Sequence, residues 1–169
     1  DVDILIAAEL MEAGRAIIRG FVTPDRTALI ASTHRALAVS EKMAPGDGIA
    51  SSDEVVAAAE IAAQRFIAAD FEGLAIAQGS VISASLFGAL AAAEVLPFGR
   101  EAFESAIRAG GKGAEASLRA FEAGFTAASC ARPVDATSGS ALPAPPKGPK
   151  HLMGAWQSLS ARAAKLPPD

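Results

Sequence analysis

Asp3-Ile4-Leu5-Ile6-Ala7 and Thr27-Ala28-Leu29-Ile30-Ala31 are unbroken apolar runs too short to be helices, and one amphipathic segment lies between them. From Glu9 to Phe21 the apolar residues Leu10, Ala13, Ile17 and Phe21 recur at helical spacing. Gly20 weakens the end of that helix, and Thr23-Pro24-Asp25 supplies a turn. Strand, helix and strand joined by such short links leave one economical solution, a right-handed crossover between parallel strands. Parallel sheets are covered on both faces, so both runs are expected to be buried on both sides. The chain is therefore read as α/β, a parallel sheet with flanking helices in a Rossmann-like three-layer arrangement.

Further along, Ser51 and Glu54 stand three apart as a capping box for a helix with Val55, Ala59, Ala62 and Phe66 on one face. Arg65 to Asp70 is the alternative reading of that end, as a third strand around Phe66-Ile67-Ala68. Residues 36–40 are ambiguous, with a short strand as one option, and Ala44-Pro45-Gly46-Asp47-Gly48 is loop chemistry. Glu72 to Gln78 forms a short helix with Gly79 as its carboxyl cap. A helix carrying Ile82, Ser85, Leu86, Ala89 and Ala93 follows and stops before Pro97. Another runs from Gly99 to Ala109, and a last one from Ala114 places Leu118, Phe121 and Phe125 on one face. The Pro/Gly-rich stretch 131–150 reads as a linker beginning near Cys130. Beyond it, in 151–169, Leu152, Trp156, Leu159, Ala163 and Leu166 make an amphipathic helix, a docking element or the start of a further domain.

Composition excludes several classes. The 169 residues are 51% hydrophobic, enough for a sizeable core. A net charge of −4 with no basic cluster gives no nucleic-acid footprint. No apolar run reaches the roughly 20 residues that cross a bilayer. The single cysteine, Cys130, excludes an internal disulfide and cannot alone hold an iron–sulfur cluster. These features, with no leader-like start, point to the cytoplasm. Asp1-Val2-Asp3 leads straight into a strand, which suggests part of a longer polypeptide.

Candidate chemistry is sparse. Thr33, His34 and Arg35 follow the second strand, on the sheet edge where α/β proteins gather ligands. They are either a cofactor or partner contact, or Thr33 and His34 satisfy loop backbone while Arg35 pairs with a carboxylate. Asp70 reaches the same edge if a third strand ends there, or else caps the next helix. Gly79 and Ser80 complete the set of cofactor- or partner-contact candidates. No second histidine or cysteine builds a metal site around His34. Gly110-Gly111-Lys112-Gly113 lacks the preceding strand and the Ser or Thr of a phosphate loop, and is read as a helix–helix connector. Neither a catalytic residue nor a metal ligand is assigned.

The ordered motifs resemble a known family. The strand and helix from Asp3 to Ala13, the strand leading to Ser32-Thr33-His34, and the block from Ala69-Asp70 through Gly79, Leu86-Phe87-Gly88-Ala89-Leu90, Leu96-Pro97 and Ala116-Ser117-Leu118 to Gly124-Phe125 resemble the gamma-type domain of the pyruvate/2-oxoacid:ferredoxin oxidoreductases. Phe21-Val22-Thr23-Pro24-Asp25-Arg26-Thr27 with Ser32-Thr33-His34-Arg35 looks most like the beta subunit of indolepyruvate:ferredoxin oxidoreductase. The resemblance covers residues 1 to about 127, within a domain placed at 1–130.

That resemblance implies a subunit of a complex that oxidatively decarboxylates an aryl 2-oxoacid, passes electrons to ferredoxin and hands the acyl group to coenzyme A. It implies thiamine diphosphate and iron–sulfur clusters in other subunits or domains, none bound by this chain alone, and an oligomeric assembly. In some relatives the domain helps to hold coenzyme A. The family's opening strand with a Gly-x-Gly-Gly-Gln-Gly turn and its Ala-Gln-Arg-Gly-Gly segment have no counterpart in the sequence, so no contact made by those residues carries over. Ser83 or Ser85 stands near where many relatives have Asn. The alternative is a non-enzymatic α/β small-molecule-binding or interaction module.

Overall fold

The structure, a computed structural model, describes residues 1–34 and 52–130, together with Gly154 and Ser158. The chain divides into two units, Asp1–Ala136 and Thr137–Asp169. In the second unit the two described residues are helical and exposed. Arg35, Ser51, residues 36–40, the stretch 131–150 and Trp156 lie outside the described residues.

The first unit holds strands β1 (Ile4–Ala7), β2 (Ala28–Ser32) and β3 (Arg65–Ala69), with helix α1 (Leu10–Ile18) between the first two and α2 (Ser52–Ala62) before the third. After β3 come α3 (Phe71–Ala77), α4 (Ile82–Ala92), α5 (Arg100–Ala109) and α6 (Ala114–Cys130). The sheet has the order β1-β2-β3 and is parallel throughout, with Ile6 beside Ile30 and Ile30 beside Ile67. The expected three-layer α/β fold is present.

Its layers follow from the two-residue period of the strands. Leu29 and Ala31 of β2 and Phe66 of β3 face α1 and α2, packing with Ala13, Ala16 and Ala59. Ile30 and Ile67 face the opposite way, onto Phe71, Leu86, Ala89 and Ala128 from α3, α4 and α6. Alanine dominates the helix surfaces on both sides, which lets the helix axes approach the sheet closely.

Three expectations are corrected. β2 is buried along its whole length, but β1 is an edge strand and Ile6 is 42% exposed. The α4–α6 layer covers Ile30 and Ile67 and does not extend over their neighbour in register, so burial on both faces fails for β1. Of the two readings of this end the strand holds: Phe66 belongs to β3 and not to the helix face shared by Val55, Ala59 and Ala62, because α2 closes at Ala62 and Gln64 N already bonds to Thr27 O. Phe21 lies beyond α1, whose buried face is Leu10, Ala13 and Ala16. A smaller revision concerns Cys130, which ends α6 as an exposed helical residue.

The glycine-rich connector lies between α5 and α6, with Gly111 at φ +76° and Gly113 at φ +89°, where side chains are disfavoured. α5 is clipped to α6 by Arg100, which binds both Glu104 and Glu122 and lies 4.6 Å from the centre of the Phe125 ring. The two carboxylates raise the pKa of Arg100, and the Arg100 and Arg108 guanidiniums hold Glu104 below the usual carboxylate range.

Candidate functional site at the carboxyl edge of the sheet

β2 and β3 end side by side, Ser32 against Ala69, so the chain leaves the sheet at Thr33 and Asp70 together. Thr33 N donates to Ala69 O at 2.8 Å and extends the ladder by one bond, while its side chain stays at the exposed surface. His34 O accepts from Leu10 N at 3.3 Å, which ties this edge to the first turn of α1.

Side chains complete the latch. Ser32 is fully buried, and its Oγ accepts from Phe71 N at 3.1 Å and lies 2.8 Å from His34 Nδ1. Ser32 Oγ accepts from the Phe71 amide and can still either donate to His34 Nδ1 or accept from it. Nε2 lies 3.3 Å from Glu72 Oε2 on the first turn of α3. Asp70 caps the same helix, its Oδ1 accepting from Gly73 N at 2.9 Å. Deeper in, fully buried Ser85 donates from Oγ to Phe71 O at 2.6 Å and so fastens α4 to the start of α3.

Serine, histidine and glutamate in a row have the ingredients of an activated nucleophile. Accessibility decides against that use, because Ser32 has no exposed surface on which a substrate could meet Oγ. The trio is a latch holding the end of β2 on the amino end of α3. Removing its centre should be costly: Ser32→Ala leaves the buried Phe71 amide and the His34 ring nitrogen without partners, a loss of about 2 kcal/mol. Urea unfolding measures the loss, and faster hydrogen exchange at the Phe71 amide locates it. An unchanged Phe71 exchange rate would contradict the assignment.

The predicted residues thus fall into two places. Thr33, His34 and Asp70 share the sheet edge. Gly79 and Ser80 lie at the opposite end of the seven-residue α3, where Gly79 has φ +68° and Ser80 Oγ is 3.3 Å from Ser117 Oγ on α6. Asp70 takes the capping position that was one of its two readings. Ser32, Glu72 and Ser85 were not singled out for these contacts. Ser32 meets Phe71 across a separation of 39 residues, and no local pattern encodes such a pairing.

Among the described residues, the amino ends of α3 and α1 are poor seats for a phosphorylated cofactor. At α3, Gly73 N is taken by the Asp70 carboxylate and Phe71 N by Ser32. The carboxylate also repels an anion from the place where a helix terminus would otherwise attract one. At α1, Leu10 N bonds to His34 O, while Glu12 N and Ala13 N bond to Glu9 O. Iron–sulfur or metal ligation does not fit either: among the described residues no group of three His, Cys, Asp or Glu could hold an ion. Among these residues, too, no single helix is long and apolar enough to cross a membrane.

Fold and edge together define an open parallel α/β domain in which Ser32, His34, Asp70 and Glu72 hold the end of β2 and the start of α3 in place. The chain belongs to the pyruvate ferredoxin/flavodoxin oxidoreductase family, whose model matches residues 1–127. The domain is accordingly a component of a 2-oxoacid oxidoreductase complex. No curated protein and no solved structure matches the chain.

Proposed function

We propose that this chain is the gamma-type part of an indolepyruvate-type 2-oxoacid:ferredoxin oxidoreductase and supports oxidative decarboxylation of an aryl 2-oxoacid to its acyl-coenzyme A. Thiamine diphosphate and the iron–sulfur clusters are held by partner subunits, coenzyme A is used by the whole complex, and electrons leave through ferredoxin in the cytoplasm. The observation that carries this reading is the family match over 1–127, the span in which Ser32, His34 and Asp70 bond within the domain. Such a domain contributes surface and leaves the redox chemistry to its partners. The indolepyruvate assignment is supported by the wording of residues 21–27 and 32–35. In this reading Thr33 and Arg35 meet a neighbouring subunit, 131–150 is a linker and 151–169 a docking helix anchored by Trp156.

The test is co-expression with the thiamine-diphosphate-binding subunit, followed by assay with coenzyme A and ferredoxin. The expected result is a stable complex that oxidises indolepyruvate at least ten times faster than pyruvate, with the isolated chain inactive. A preference for pyruvate would sink the aryl assignment. Failure to form a complex, with tight nucleotide binding by the isolated chain in calorimetry, would replace the proposal with the small-molecule-binding module.

A further inference from the structure

Phe71, the first residue of α3, is fully buried and held from three sides. Its amide donates to Ser32 Oγ at 3.1 Å, and its carbonyl accepts from Ser85 Oγ at 2.6 Å. Its ring lies in the cluster with Ile30, Ile67, Leu86 and Ala89. Both serines are themselves fully buried, so no solvent stands ready to replace either bond.

Each serine leads on to a further contact. Outward, Ser32 Oγ lies 2.8 Å from His34 Nδ1, and Nε2 of that ring is 3.3 Å from Glu72 Oε2, on a side chain that is 45% exposed. Inward, Ser85 is the residue of α4 whose carbonyl faces Gly124 of α6, where an added Cβ has no room. The far end of α3 is held more lightly, by Ser80 Oγ against Ser117 Oγ at 3.3 Å. A helix of seven residues has too few turns to bend, so a displacement of its amino end is carried whole to its contacts. Packed interiors pass such a displacement on, and buried hydroxyl bonds beside a backbone-on-backbone crossing leave no free side-chain rotation to absorb it.

We infer that α3 is a lever set by the His34–Glu72 contact: opening that contact at the surface releases the amino end of α3 and, through Phe71 and Ser85, loosens the α4–α6 crossing. The inference does not depend on the proposed function, since every residue in it belongs to this chain. Glu72, His34, Ser32, Phe71, Ser85 and Gly124 form one line of touching groups. Its most exposed member is Glu72, so Glu72 is the control point and α4 the element that responds. Such coupling is a free energy shared between sites, and it is measured by perturbing one end and reading the other.

The experiment uses the full chain, with native-state amide hydrogen exchange and urea unfolding. Glu72→Ala, at the surface end of the line, is expected to speed exchange of the Leu86 and Ala89 amides in α4 at least about threefold. The Ala16 amide of α1, packed on the other face of the sheet, keeps its rate. Ser32→Ala and Ser85→Ala break the two bonds to Phe71. The double variant is expected to lose less than the two single losses together, by at least about fivefold in the unfolding equilibrium constant. Glu72→Ala carries the test if a serine variant fails to fold. Acceleration that ends within α3 overturns the lever, as does equal acceleration at Ala16, which marks a general loss of stability. Additive losses at the two serines overturn it as well, because Phe71 then does not join them.

Discussion

Gly124→Ala is expected to destabilise the domain by about 3 kcal/mol or more, although alanine is the better helix former. A Cβ built at Gly124 would lie 2.0 Å from Ser85 O, and one at Gly88 would lie 2.0 Å from Phe121 O. α4 and α6 thus cross backbone against backbone, each glycine receiving the other helix. The contacted atoms are carbonyls within helices, so no side-chain rotation relieves the clash and the helices must separate along their length. Helix propensity favours alanine by about 1 kcal/mol, and overpacking costs about 1–3 kcal/mol and more where the backbone cannot yield. The second effect wins. Gly14→Ala is the internal control: its new Cβ meets only the Val55 side chain, Cγ1 at 3.3 Å and Cγ2 at 3.5 Å, a contact that can shift. The control should change stability by less than about 1 kcal/mol. Urea unfolding of the three alanine variants decides the matter, and a loss below about 1 kcal/mol at both Gly88 and Gly124 would show that the helices yield at no great cost. The double substitution is expected to be less than additive, because one separation of the helices relieves both clashes.

The same glycines show what a sequence discloses and what it withholds. Gly88 and Gly124 stood out as landmarks in order, but the reason for them is a crossing of helices 36 positions apart, and only the folded chain displays it. The strands were legible because parallel strands are continuous apolar runs, and β2 matches its run to within one residue. Less legible was β1, since an edge strand and a central strand carry the same apolar signature and differ only in what covers them. Phe66 misled the helical stripe because Val55, Ala59, Ala62 and Phe66 keep helical spacing across the break at Ala63-Gln64. At the candidate site, Asp70 was readable as a cap because capping is local, three residues from donor to acceptor. The Ser32–His34–Glu72 latch was not readable as a unit, for it depends on β2 and β3 ending in register. That register is set by the whole sheet.

Phe121→Ala is expected to cost about 4 kcal/mol, the range for emptying a fully buried aromatic site. Phe121 is 1% exposed on α6 and sits among Phe87, Phe103 and Phe125, with ring centres 6.1, 6.4 and 6.3 Å away. Those neighbours come from α4, α5 and α6, and Arg100 lies 5.8 Å from the same ring. Collapse into the vacated space is opposed by the Gly88 crossing, which already holds the Phe121 backbone against α4. The cavity therefore stays open, and the loss belongs at the upper part of the range. Phe121→Leu refills most of the volume and should recover more than half of the stability. Against a total of about 5–15 kcal/mol for a domain of this kind, the alanine variant is close to unfolding, so the comparison is made by urea titration at low temperature. Hydrogen exchange adds a spatial criterion. Protection should fall first in α4, α5 and α6, while β2 and β3 retain theirs until global unfolding, because the Leu29, Phe66 and Ala13 cluster does not include Phe121. Uniform loss of protection across sheet and helices would instead make the two layers a single cooperative unit.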